Sequence, residues 1–166
     1  QKEAYFQNTI FVFVGDHGVD GNAREFYPPV WTEQGLTNQH VPLLFYAPQL
    51  LQPERRSEVV SQIDILPTIA GLLHQPYTNT TLGRDLLDPN KKYDFAFITN
   101  TAGTIGMATD SFYFSRNINF PDEQIYPMRD GLVISKEVED AAKKRLSVFT
   151  SAFFETAKYL IMNNRQ

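Results

Sequence analysis

Thr9-Ile10-Phe11-Val12-Phe13-Val14-Gly15-Asp16-His17-Gly18 is the stretch on which the fold of this chain turns. Six apolar or β-branched residues in a row read as a buried strand of a mostly parallel sheet. The run stops at two glycines that flank an aspartate and a histidine. In open α/β sheets, ligands and catalytic groups collect at the carboxyl ends of strands. A carboxylate oxygen and an imidazole nitrogen suit a divalent cation such as zinc or manganese, with calcium or magnesium as alternatives. Adjacent side chains on a regular strand face opposite ways, so two neighbouring ligands need a turn, which the glycines supply. On their own, Asp16 and His17 read as ordinary turn residues sooner than as metal ligands.

Working outward, residues 18–39 are polar and contain Pro28-Pro29, Tyr27 and Trp31. They read as a long loop, and long loops in compact domains are usually functional or mobile. Val41 to Tyr46 reads as a second buried strand, closed by Pro48. Asp64-Ile65-Leu66-Pro67-Thr68 reads as the start of a helix reaching about Leu73, with Asp64 as its cap and Pro67 in its first turn. Arg84 and Asp85 read as turn hydrogen-bonders or a surface pair, and His74 as a helix-end residue. Tyr93 to Thr99 reads as a strand. Gly106–Asp110 and Ser111–Arg116 suggest an antiparallel pair, followed by loop over 117–131. Lys136 to Met162 carries Val138, Ala142, Leu146, Phe149, Phe153, Ala157 and Leu160 at spacings of three and four, the mark of an amphipathic helix. The fold class is therefore α/β, a mostly parallel sheet with flanking helices and a small antiparallel extension.

The 166 residues are 42% hydrophobic and 20% charged, enough for a packed core. A net charge of -4 gives no electrostatic footprint for nucleic acid. The absence of cysteine excludes disulfides and thiolate metal sites. No stretch approaches the roughly 20 apolar residues that cross a bilayer.

Gly15-Asp16-His17-Gly18 at the end of its apolar strand resembles the Ser-Asp-His-Gly strand end of sulfatases and related transferases. Gln39-His40-Val41-Pro42 and the apolar residues to Pro48 resemble a second landmark of that alkaline-phosphatase superfamily. Ser61-Gln62-Ile63-Asp64-Ile65-Leu66-Pro67-Thr68 resembles its S-x-x-D-I-x-P-T helix start, and Gly83-Arg84-Asp85-Leu86 its G-R-S-L turn. The four occur in the expected order. Thr156 to Asn164 resembles the last helix of membrane-anchored phosphoglycerol-transferase-like proteins. Gly15 in place of Ser is a mild departure, and Val19 stands where many members carry Glu.

The resemblance implies that Asp16 and His17 are two ligands of a catalytic divalent metal. It also implies that His40 serves the substrate phosphate or a second metal, as in phosphoethanolamine transferases. It places the nucleophile and a further acidic ligand upstream, so residues 1–166 are expected to be the carboxy-terminal portion of a sulfatase-like catalytic domain. That portion would be inactive by itself and partnered by the missing amino-terminal half. The activity implied is transfer of a phosphoglycerol or phosphoethanolamine group from a lipid-linked ester, at the periplasmic face of a bacterial inner membrane. A sulfatase is the alternative, and a non-catalytic α/β binding module the third reading.

Overall fold

The computed structural model describes residues 2–100, 102–131 and 134–163. The chain divides into two compact units, Gln1–Ser57 and Glu58–Gln166.

In the first unit a 3-10 turn at Phe6–Asn8 precedes β1 (Phe11–Val14). Two short helices, α1 (Pro29–Glu33) and α2 (Leu36–Gln39), then lead into β2 (Leu43–Tyr46). Residues 18–39, expected to be plain loop, are thus partly helical. Pro29 sits in the first turn of α1, where its fixed φ and missing N–H cost nothing. Gly35, at φ 63°, takes the left-handed conformation that ends α1 and opens α2. Val30 and Leu36 bury their side chains and hold this segment together.

β1 and β2 pair antiparallel, Phe11 opposite Tyr46 and Val14 opposite Leu43. Every strand pairing among the described residues is antiparallel, so the α/β class holds but the mostly parallel sheet does not describe these strands. An unbroken apolar run specifies burial on both faces, not strand direction, and antiparallel pairs are the commoner kind. Nor is β1 fully buried: Phe13 is 57% exposed, and its neighbour across the ladder, Leu44, and the next residue, Val14, are also open to solvent.

The second unit begins with a 3-10 turn at Gln62–Asp64 that runs into α3 (Ile65–Leu72). A four-stranded antiparallel meander follows, β3 (Ala96–Thr99), β4 (Thr104–Ala108), β5 (Phe112–Asn117) and β6 (Glu123–Pro127), paired in that order. The expected β4–β5 pair is present. β6 lies within the stretch read as loop, because its central residues Gln124-Ile125-Tyr126 are too few for alternation to stand out. The chain then enters α4 (Lys136–Asn163), whose first turn is capped by the Ser135 hydroxyl accepting the Val138 N–H. Asn164, the last residue of the run likened to a transferase helix, lies outside the described residues. α4 packs on the meander through Leu146 and Phe153, which join Phe95, Met107, Phe112 and Phe114 in a buried core flanked by Ala142 and Phe149. Val138, predicted for the same face, is exposed. Among the described residues no helix is long and apolar enough to cross a membrane.

Asp64 and Arg84 do more than the cap and surface pair expected of them. Asp64 is fully buried, and its Oδ2 accepts the Ser61 N–H as one half of a capping box. The Arg84 guanidinium forks onto both Asp64 oxygens, at 3.2 and 2.7 Å. It also donates to the carbonyls of Tyr93 and Phe95 and lies 3.9 Å over the Phe95 ring. Each polar atom of the pair that faces the interior has a partner, which is what a buried ion pair requires. This network ties the start of α3 to the Gly83 turn and to the entry of β3.

Candidate metal and ester site

The site lies in the first unit, where β1 runs out. Past the last ladder pair, the Gly15 N–H donates to the Pro42 carbonyl at 3.3 Å, and the Gly18 N–H to the Asn38 carbonyl at 2.7 Å. The end of α2 and the approach to β2 therefore lie directly against residues 15–18. The glycines are there for close approach, not for a left-handed backbone. A Cβ on Gly15 would stand 2.9 Å from the Val41 Cβ, and one on Gly18 only 2.1 Å from the Thr37 carbonyl oxygen.

Asp16 and His17 project from this junction on the same side. Asp16 Oδ2 stands 3.8 Å from His17 Nε2, and both side chains are well exposed. Asp16 Oδ1 accepts the His17 N–H at 2.9 Å, which, with the nearby imidazole, holds the carboxyl below its ordinary pKa. His17 Nδ1 lies 2.8 Å from the Gly18 carbonyl. That contact first, and the Asp16 carboxylate second, raise the His17 pKa above its ordinary value. With Nδ1–H donating to Gly18, Nε2 is the nitrogen left with a lone pair to offer.

Two donors about 2.1 Å from one ion stand at most about 4.2 Å apart, so the pair fits a shared divalent cation in chemistry and spacing. It does not complete a site. Among the described residues no group of three or more His, Asp or Glu side chains could hold a metal ion.

His40 enters from the end of α2, ahead of β2. The antiparallel register puts its main chain beside Gly18, where an added Cβ would lie 2.9 Å from the His40 carbonyl oxygen. A parallel pair would have left it at the far end of the strand. Its ring meets two aromatic side chains, edge-on to Trp31 at 5.0 Å and to Tyr27 at 5.7 Å between centroids. In the sequence Tyr27 and Trp31 read as loop aromatics that touch substrate or pin the loop to the core, with no link to His40. The signal that could have found them is Pro28-Pro29: taken as a helix start, it sets Trp31 inside a first turn and Tyr27 immediately before it.

Residues 1–75 match the family model of the sulfatases. Arylsulfatase K of Canis lupus familiaris is 34% identical over 82 residues, 49% of this chain and 15% of that protein. Arylsulfatase K of Gallus gallus is 35% identical over 88 residues, 52% of this chain and 16% of that protein. A crystal structure of a protein in the alkaline phosphatase superfamily from Vibrio parahaemolyticus aligns with a TM-score of 0.55 and 22% identity. It covers 93% of this chain and 37% of that one, and at this identity it speaks to the fold alone. Residues 1–75 are thus sulfatase-like in sequence, and the fold is like that of the alkaline phosphatase superfamily protein. The matched stretch contains three of the four sequence landmarks, including Asp16, His17 and His40. The chain aligns with only about a sixth of the curated relatives' length.

Proposed function

We propose that the protein to which this chain belongs hydrolyses a sulfate ester at a divalent metal partly held by Asp16 and His17. The observation that carries the reading is the convergence of Asp16 Oδ2 and His17 Nε2, 3.8 Å apart on the same side of the strand end. The sulfatase family match and the two arylsulfatase relatives span those residues and support it. They favour sulfate-ester hydrolysis over transfer of a phosphoglycerol or phosphoethanolamine group.

A bound cation would polarise an oxygen of the ester and stabilise negative charge there. Asp16 supplies an ionised carboxylate, and the Gly18 carbonyl orients the His17 ring so that Nε2 faces away from the backbone. His40, beside Gly18, supplies an N–H donor for an anionic ester oxygen. None of these three residues is assigned as the nucleophile.

The test is turnover of 4-nitrocatechol sulfate by the intact protein, with manganese, zinc or calcium added after chelation. Metal-dependent release of 4-nitrocatechol, abolished by Asp16→Ala, is the expected result. Turnover confined to bis(4-nitrophenyl) phosphate would restore the phosphodiester-transferase reading.

A further inference from the structure

We propose that Tyr27 and Trp31 are positioning residues for His40, holding its imidazole where the anionic end of the ester is received. The inference rests on the reading that His40 meets that anion. It goes further in assigning the loop between the two strands a part in the site.

Three observations converge. Tyr27 and Trp31 stack on each other at 4.6 Å between centroids and 29° between planes, and each meets the His40 ring edge-on, at 87° and 65°. Edge-to-face contacts at these distances follow the quadrupole of the ring and are directional, so two of them from different rings leave an imidazole little freedom to turn. His40 is otherwise exposed, and a lone exposed histidine samples several rotamers.

The backbone that carries the rings is braced. The Tyr27 N–H donates to the Ala23 carbonyl at 2.9 Å and the Trp31 N–H to the Pro28 carbonyl at 3.0 Å. The Thr32 hydroxyl accepts the Ala23 N–H, and Arg24 pairs with Glu33, closing residues 23–33 into one piece. That piece carries only Val30 as a buried anchor, so its aromatic pair is not spent on core packing. Finally, the Gly18–Asn38 hydrogen bond and the contact of Gly18 with His40 join the same segment to the turn bearing Asp16 and His17. Residues 16–18 and the aromatic cradle thus grip His40 by its backbone and its ring respectively.

The experiment uses the intact protein with His40 ring resonances assigned by NMR, and inorganic sulfate as the probe. In the wild type the His40 ring protons should be displaced by the ring currents of Tyr27 and Trp31, and should move on sulfate addition. Trp31→Ala should return them toward exposed-histidine positions and weaken sulfate about 5- to 10-fold, the loss of one or two aromatic contacts. Trp31→Phe should restore both, and in Trp31→Ala KM should rise with kcat little changed. Should Trp31→Ala lower the thermal midpoint, Tyr27→Leu at the more open ring repeats the measurement. Unchanged His40 resonances and sulfate affinity in both variants would overturn the proposal. Ring-current displacement lost in Trp31→Ala, with no response to sulfate even in the wild type, would support the positioning role and refute the ester-binding reading of His40.

Discussion

The two units use similar residues to different ends. In the second, apolar residues of β4 and β5 are covered by α4: Met107 and Phe114 are fully buried and Leu146 seals them. In the first, an equally apolar strand leaves Phe13 and Val14 in solvent, and the buried hydrophobic residues are Val30, Leu36 and Ala47. The charged pairs divide the same way. Asp64 with Arg84 is enclosed and saturated with partners, while Asp16 with His17 is open. One unit spends its polar groups on cohesion. The other holds two ionisable side chains in water at the end of a strand, beside glycines that bring a second segment against them. A fold that breaks its own burial pattern at one place usually does so where it has work to do.

The contrast is sharpest for two phenylalanines. Phe114→Ala removes a wholly buried ring from the packed core and should cost about 3–5 kcal/mol. Phe13→Ala, on an open strand face, should cost under about 1 kcal/mol. Urea denaturation of the two variants measures both. Equal losses would mean that Phe13 is covered in solution and that the exposure contrast fails.

A second difference is readable by pH. Burial, with the neighbouring Tyr126 adding to it, raises the Tyr113 phenol from its ordinary 10.0 to about 12. Below pH 10 the phenol is neutral in folded and unfolded chains alike, and the shift has no effect. Between pH 10 and 12 the unfolded chain releases the proton first, so stability falls, by about 2–3 kcal/mol once both forms are ionised. Tyr113→Phe should flatten that part of the stability curve.

Smaller is the effect of the one left-handed non-glycine residue among those described. His74 follows α3 at φ 51°, and Gln75 N–H reaches back to the Ala70 carbonyl in the helix-ending pattern that favours glycine. His74→Gly should therefore stabilise the second unit by about 1 kcal/mol, seen as a raised denaturation midpoint. A loss of stability would show that the imidazole makes contacts worth more than the backbone strain.

Much of this was legible in the residues, for physical reasons that can be named. The 3-4 spacing in Lys136 to Met162 found α4 and its core face, because helical periodicity persists over many turns and one misplaced residue, Val138, does not hide it. Asp16 and His17 stood out because their residue types are few and chemically pointed, and the structure sets both on one side of the strand end. Strand direction was not legible: it depends on what pairs with what, and an apolar run such as Thr9–Val14 looks the same in either direction. Nor was the Asp64–Arg84 fork, since a helix-start carboxylate has a sufficient local explanation and its partner lies twenty residues away. The aromatic contacts of His40 were hidden for the same reason, with Tyr27 and Trp31 assigned to a loop that proved to be partly helical.

The last test asks for no change at all. Asp16 has an exposed carboxylate that meets the adjacent His17 N–H and the exposed imidazole. Exposed charge pairs of this kind are screened and contribute little to folding. Asp16→Asn keeps the shape and removes the charge, so in metal-free buffer the thermal midpoint of the intact protein should not move. A group kept for a cation behaves differently once one is supplied. A ligand that binds only the folded state raises the midpoint by mass action. Manganese or zinc should therefore raise the midpoint of the wild type and raise that of Asp16→Asn much less. Scanning fluorimetry with and without metal gives all four values. If the variant melts early without metal, Asp16 is a structural residue like Asp64, and the division between the two units loses its meaning. If both proteins gain equally from the ion, the metal binds elsewhere, and the convergence of Asp16 and His17 is only a turn.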